Sequence, residues 1–238
     1  MGVQSKREVI LNKQKELWTD DGYVRWNRSC LSKLLFRFRI GKVIEIVVRL
    51  KAINILDVGA ADCRSTSAIQ RCYAGCAVFS AERSFDLLKA DRSSNPRRVC
   101  ADARFLPFKE RTFDAVILLA TLKHIFKVEK SLAEFAPVLT RKGALLIIEP
   151  TKEIIKLGSW FGFFDTANIA NLWSVSQLQS ALVKHGFRVV ESGCFAPFRF
   201  PSIESGRIGK ALHKCCFNRL SLYQYCLAER HDSDHDIA

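Results

Sequence analysis

The chain has 238 residues, 48% of them hydrophobic and 26% charged, with a net charge of +13. That length suits one hydrophobic core with a small extension, and the composition excludes a disordered or fibrous chain. No stretch reaches the roughly 18 uncharged apolar residues of a membrane span, and the opening MGVQSKREVI lacks the apolar region of a signal peptide.

Nine cysteines without a signal peptide are expected to stay reduced, which points to the cytoplasm. Neither Cys72 and Cys76 nor the adjacent Cys215 and Cys216 are joined by a second pair at zinc spacing, so no metal is expected. The positive charge gathers at the ends: residues 1–51 hold 12 Lys and Arg against 5 acids, and residues 192–230 hold 6 against 2. Basic ends suit RNA, an anionic membrane surface or an acidic substrate, and equally a solvated surface with no partner.

In chain order, residues 4–18 and 25–50 read as helices forming an N-terminal extension or cap over residues 1–51. Leu31, Leu34, Leu35 and Phe38 recur at the spacing of one buried face, and Gly41 is a candidate break. From residue 52 to 230 short apolar runs alternate with helical stretches. Strands are expected at Ile53–Val58, Ala77–Ala81, Arg98–Ala101, Asp114–Ala120 and Ala144–Glu149, and helices at Ser65–Cys72, Phe85–Ala90 and Val128–Leu139. A helix over Ser176–His185, a turn at Gly186 and strands at Phe187–Glu191 and Leu222–Ala228 complete the series, before a polar tail at 231–238. Continuous apolar strands mean burial on both faces. The expected fold is therefore α/β, a Rossmann-like, mostly parallel sheet with helices on both faces and an antiparallel last strand.

Right-handed crossovers put the carboxyl ends of such strands on one edge, where ligands of open α/β sheets bind. Four features fall there. Asp57-Val58-Gly59-Ala60-Ala61-Asp62-Cys63 leads from the first strand into a helix, and Gly59 allows a tight turn and close approach of a ligand. Glu82, followed by Arg83, closes the second strand 23 residues after Gly59, where a carboxylate can accept both hydroxyls of a ribose. Asp102, just past the third strand, can accept from an adenine amino group. Phe113 to His124 forms the fourth strand and its loop. Together they describe a nucleoside pocket. Each acid has a plainer reading too: Glu82 and Asp102 as helix caps, Asp57 as a structural acid bonding the turn.

In these residues the chain resembles the class I S-adenosylmethionine-dependent methyltransferases, and among them the type 11 family. The resemblance rests on Asp102 through Val116, on Leu122-Lys123-His124, on Val138-Leu139 followed by Lys142 to Glu149, and on Gly186-Phe187, in that order over roughly residues 50–191. It implies a seven-stranded sheet and S-adenosylmethionine as cofactor. It also implies Asp57, Gly59 and Ala61 near the methionine end, Glu82 on the ribose with Arg83 beside it among the cofactor-binding residues, Asp102 and Ala103 at the adenine, and Leu119 and Ala120 at the sulfonium. His124 stands where a base or substrate contact would sit, or is a structural histidine. Lys123, where the family often has an acid, is expected to face solvent, and Arg64 either pairs with the cofactor carboxylate or lies on the surface. The family's other two loop glycines are here Ala61 and Cys63, which are strained by about 1–2 kcal/mol each if those positions need positive φ.

Methyl transfer from a sulfonium needs orientation and desolvation more than a triad or metal. The acceptor is expected to be a small hydrophobic or aromatic molecule, held between the N-terminal helices and an aromatic lid within residues 151–175. Residues 157–173 carry Trp160, Phe161, Phe163, Phe164 and Trp173, with Trp18, Tyr23 and Trp26 on the other side. Two rivals stay open: an RNA or protein methyltransferase using the basic ends, for which no base-methylating motif or RNA-stacking signature is visible, and a catalytically degenerate fold serving as an interaction partner.

Overall fold

Alternation inside the apolar strands sets the architecture. In the computed structural model, which describes residues 30–90, 97–160, 169–197 and 221–230, Leu56, Val58, Val116, Leu118, Leu145 and Ile147 join one core cluster. Their neighbours Ile55, Ala115, Ile117, Leu146 and Ile148 join another. Successive side chains of a strand point to opposite faces, so both faces are buried and both are covered by helices.

The elements run α1 (Cys30–Arg49), β1 (Asn54–Val58), α2 (Arg64–Cys72), β2 (Ala77–Glu82), α3 (Phe85–Ala90), β3 (Arg98–Cys100), β4 (Phe113–Leu119) and a 3-10 turn (Leu122–His124). They continue with α4 (Val128–Val138), β5 (Leu139–Pro150), α5 (Lys152–Trp160), α6 (Val175–Lys184), β6 (Phe187–Pro197) and β7 (Ser221–Arg230). The sheet has seven strands in the order β3-β2-β1-β4-β5-β7-β6. The pairs among β1 to β5 are parallel, and β7 runs antiparallel to both β5 and β6. The expected fold class is found, with the antiparallel last strand β7 slotted between β5 and β6.

Leu132 and Phe135 of α4 and Leu178 and Leu182 of α6 cover the first face. Leu35, Ile40, Val43, Ile46 and Val47 of α1 cover the other, with Ala68 and Ile69 of α2. The buried stripe of α1 differs from the expected one: Leu34 is 50% exposed and Phe38 42%. Val43, Ile46 and Val47, all but fully buried, fix the rotation of the helix, and Leu34 and Phe38 turn outward as a result. The helix continues through Gly41, since burial of Ile40 and Val43 on either side offsets the roughly 1 kcal/mol that glycine costs.

Other boundaries move for tertiary reasons. β5 begins at Leu139, paired with Phe113, and regains regular register at Ala144 opposite Ala115 after an irregularity. The α5 helix stands where the sequence suggested only a lid. Capping is clearest at α6: the Ser174 Oγ accepts the Gln177 N–H while the Gln177 carboxamide accepts the Ser174 N–H, a reciprocal box legible in Ser174-x-x-Gln177. Among the described residues no helix is long and apolar enough to cross a membrane. Residues 4–18, the aromatics Trp18, Tyr23, Trp26, Phe161, Phe163 and Phe164, and the 231–238 tail lie outside the described residues.

Candidate functional site

The carboxyl ends of β1, β2 and β3 and the loop after β4 enclose a cavity. Val58 and Gly59 line it from β1, Glu82, Arg83 and Ser84 from β2, Asp102, Ala103 and Arg104 from the β3 loop, and Thr121, His124, Ile125 and Phe126 from beyond β4. Of the residues singled out in the sequence, Gly59, Glu82, Arg83, Asp102, Ala103 and His124 meet at this wall. Asp57, Ala61, Leu119 and Ala120 stand behind it.

Gly59 has φ +75, and its N–H donates to the Ala81 carbonyl at 2.8 Å, which ties the β1 turn to β2. A Cβ there would lie 2.2 Å from Thr121 Cγ2, so only glycine lets the β4 loop close over the turn. Thr121 is a wall residue that the sequence did not single out, as are Ser84, Ile125 and Phe126. The close approach implied by Gly59 pointed to some neighbour without naming it. Ala61 and Cys63 also take positive φ, +50 and +55, so the loop keeps the backbone of a glycine-rich turn while bearing side chains. Cys63 is fully buried against Ala60 and Leu88 and does not line the cavity.

Glu82 is 6% exposed. Its Oε2 accepts the Ala61 N–H at 3.0 Å and its Oε1 the Ser84 N–H at 2.8 Å, and burial pushes its carboxyl pKa up. Each oxygen keeps a further acceptor position for a hydroxyl. Asp102 is bound by Arg104, whose Nε and backbone N–H both donate to Oδ1 at 2.9 Å and whose Nη2 donates to Oδ2 at 2.5 Å. The guanidinium holds the Asp102 carboxyl below its usual range. Asp57 lies under the cavity, 1% exposed. Its Oδ2 accepts the Ser65 hydroxyl at 2.5 Å and the Thr66 hydroxyl at 3.1 Å, and burial raises its pKa to about 6. Arg64, next to Ser65 in sequence, stacks its guanidinium on Phe36, 5.0 Å from the ring centre, and pairs with Asp62 at 3.3 Å.

Past β4, Ala120 turns at φ +60 with its N–H on the Ile148 carbonyl, and Glu149 Oε1 accepts the Leu122 N–H at 2.6 Å. Lys123 is not solvent-facing as expected. Its side chain is 13% exposed, its Nζ donates to the Ala120 carbonyl and lies 3.6 Å from Glu149 Oε2, and burial lowers its pKa. Glu149, 26 residues on, draws it inward. The Lys123 carbonyl accepts the N–H groups of Ala170 and Asn171, and the Asn171 carboxamide donates to the Ile125 carbonyl at 2.7 Å, so the chain returning from α5 is fastened to the cavity wall.

The donor set fits a nucleoside: two carboxylates with free acceptor positions for hydroxyls or an amino group, beside the apolar surfaces of Ala103, Ile125 and Phe126 for a base. This sheet order, with one antiparallel strand and the cavity on the strand ends, defines the class I methyltransferase fold. Residues 56–147 match the family model described as "Methyltransferase domain", of type 11, whose motifs the sequence carries.

Two curated relatives are similar over part of their length. An uncharacterized protein of Methanocaldococcus jannaschii is 31% identical over 149 residues, 56% of this chain and 61% of that protein. The demethylmenaquinone methyltransferase of Thermobifida fusca is 31% identical over 117 residues, 44% of this chain and 49% of that protein. The chain thus spans between about half and three fifths of the length of these relatives. Among solved structures, the magnesium protoporphyrin IX methyltransferase of Synechocystis, crystallised with bound S-adenosylhomocysteine, superposes with a TM-score of 0.66 at 16% identity, covering 93% of this chain and 99% of that one.

Proposed function

We propose that the chain is an S-adenosylmethionine-dependent methyltransferase acting on a small hydrophobic or aromatic acceptor. The observation that carries this is the convergence of Gly59, Glu82, Asp102 and Ala103 on one cavity, in the chain order that the family motifs require. Glu82 would take the ribose hydroxyls and the Asp102-Ala103 corner the adenine, while the Gly59–Ala61 turn faces the amino-acid end. The cofactor, when bound, supplies a methyl group on an already activated sulfonium leaving group. The chain's own work is then to orient the acceptor in line with that methyl and to exclude water. His124, on the cavity wall, stands where it can take a proton from an acceptor hydroxyl or amine.

The positive φ at Ala61 and Cys63 supports a working loop over a degenerate one, because the backbone keeps its glycine-type path at a cost in strain. A small acceptor fits the demethylmenaquinone and protoporphyrin chemistry of the similar proteins. Calorimetric titration with S-adenosylmethionine tests the proposal: micromolar binding that Glu82→Ala abolishes is the expected result. A folded wild-type chain that binds no cofactor removes the enzyme reading.

A further inference from the structure

Three cations of α1 face β6 and β7, and two of them meet a carboxylate. Lys42 contacts Glu45 at 2.8 Å and Glu191 at 4.0 Å, and Arg49 pairs with Glu191, which also accepts the Tyr225 hydroxyl at 2.5 Å. Arg39 has no carboxylate partner among the described residues. Its guanidinium lies over the Tyr223 ring, 5.6 Å from the centre, and its Nε is buried with no hydrogen-bond partner. The acid in its neighbourhood, Glu149, is engaged elsewhere: Oε1 holds the Leu122 N–H and Oε2 faces Lys123.

The placement gives this imbalance meaning. Glu149 ends β5 opposite Gln224, Pro150 lies opposite Tyr223, and Lys123 precedes His124 of the cavity wall. Arg39 and Lys123 therefore stand on the ligand edge of the sheet, displaced from the nucleoside corner toward β5 and β7. Among the described residues Lys123 takes the one carboxylate there, and Arg39 stands near it without one, its charge contributing to the depression of the Lys123 pKa. A half-buried guanidinium with one buried N–H left unpartnered costs folding free energy unless a partner's charge compensates it.

We propose that Arg39, backed by Lys123, is a subsite for an anionic oxygen group carried by the methyl acceptor. This rests on the methyltransferase reading and narrows its substrate class to a hydrophobic or aromatic acid. Guanidinium binds a planar carboxylate through two parallel hydrogen bonds, which fixes orientation as well as affinity. Lys123, held by Glu149 and the Ala120 carbonyl, packs behind it and keeps the Glu149 carboxylate turned away from the incoming anion. Bound there, the acid anchors one end of an aromatic acceptor and leaves the other end to reach along the strand edge toward the cofactor corner.

The test is calorimetric, on the full chain with S-adenosylhomocysteine present, using 2-naphthoate and its neutral counterpart 2-naphthamide as probes. The wild-type protein is expected to bind the acid about tenfold more tightly than the amide, as one charge-assisted contact implies. Arg39→Met should erase that preference and leave S-adenosylhomocysteine affinity unchanged, while Arg39→Lys keeps part of the preference. Should Arg39→Met fail to unfold cooperatively, Arg39→Gln replaces it. Equal binding of acid and amide, binding of neither, or a preference that survives loss of Arg39 overturns the subsite. A chain that binds no S-adenosylhomocysteine counts against the cofactor reading alone, and the acid-to-amide ratio is then read without cofactor and decides the subsite by the same criteria.

Discussion

Glu82 reaches back across the β1–β2 edge to take the Ala61 N–H at 3.0 Å, so the acid that closes one strand also holds the loop that follows another. With its second oxygen on the Ser84 N–H, the carboxylate braces both walls of the cavity. Glu82→Ala should therefore weaken cofactor binding by more than loss of a ribose contact alone, and should also leave two backbone N–H groups without their acceptor. A stability loss of about 1–3 kcal/mol is expected. Glu82→Gln, which retains one acceptor oxygen, should fall between. Urea unfolding beside calorimetry separates the effects: unchanged stability in Glu82→Ala would make the brace irrelevant.

Gly59 and Thr121 form a steric pair. Gly59→Ala places its methyl 2.2 Å from Thr121 Cγ2 and holds alanine at φ +75, and overpacking together with left-handed strain should cost about 2–4 kcal/mol. Thr121→Gly in the same chain should recover the steric part and leave the strain. A double-mutant cycle on denaturation midpoints reads the coupling, and additive effects would place the cost elsewhere.

These two sites show what the sequence discloses. Gly59, Glu82 and Asp102 were legible because each ends or follows a strand, and strand order in a parallel α/β chain fixes which loops meet. Thr121 and Lys123 were not legible, since their places depend on partners distant in the chain: Gly59 is 62 residues from Thr121, and Glu149 is 26 from Lys123. The outward turn of Leu34 and Phe38 escaped for a related reason. A helix with apolar residues on several sides takes its rotation from the sheet beneath it, here through Val43, Ile46 and Val47.

Ala61 at φ +50 carries a side chain where glycine would relax. Left-handed strain of about 1–2 kcal/mol exceeds the roughly 0.4–1 kcal/mol that glycine adds to the entropy of the unfolded chain. Ala61→Gly should thus raise stability by about 0.5–1 kcal/mol. Cys63→Gly should gain less, because its fully buried side chain is lost as well. Thermal unfolding checks both, and a destabilised Ala61→Gly would show that the alanine methyl contributes more packing than its strain costs.

Asp57 gives the fold a pH dependence of definite sign. Its folded pKa of about 6 lies above the ordinary 3.8, so between those values the native state holds a proton that the unfolded chain has released. Stability supplied by this group is complete below pH 4 and falls as pH rises to about 6, by about 2–3 kcal/mol. Glu82 and Glu149, also raised by burial, act in the same direction, whereas Asp102 and Glu191 are lowered and act against it. The informative quantity is therefore the difference between wild type and Asp57→Asn, whose amide oxygen can still accept from Ser65 or Thr66. That difference should move in the variant's favour from pH 4 to 6 and then level off. A flat difference would mean that Asp57 ionises as easily in the fold as in water.

Lys123 and Glu149 are best tested as a pair. Removing the amine alone, in Lys123→Met, leaves a carboxylate 3% exposed at its side chain with one oxygen lacking a hydrogen bond, and should cost about 3–5 kcal/mol. Removing both charges, in Lys123→Met with Glu149→Gln, keeps an acceptor for the Leu122 N–H through the Gln carbonyl and ends the desolvation of two ions. The double variant should therefore be more stable than Lys123→Met, because a buried ion pair contributes little net stability beyond satisfying its own charges. Urea midpoints decide it. If the double variant is no better than the single, loss of the amine leaves no uncompensated buried charge at Glu149.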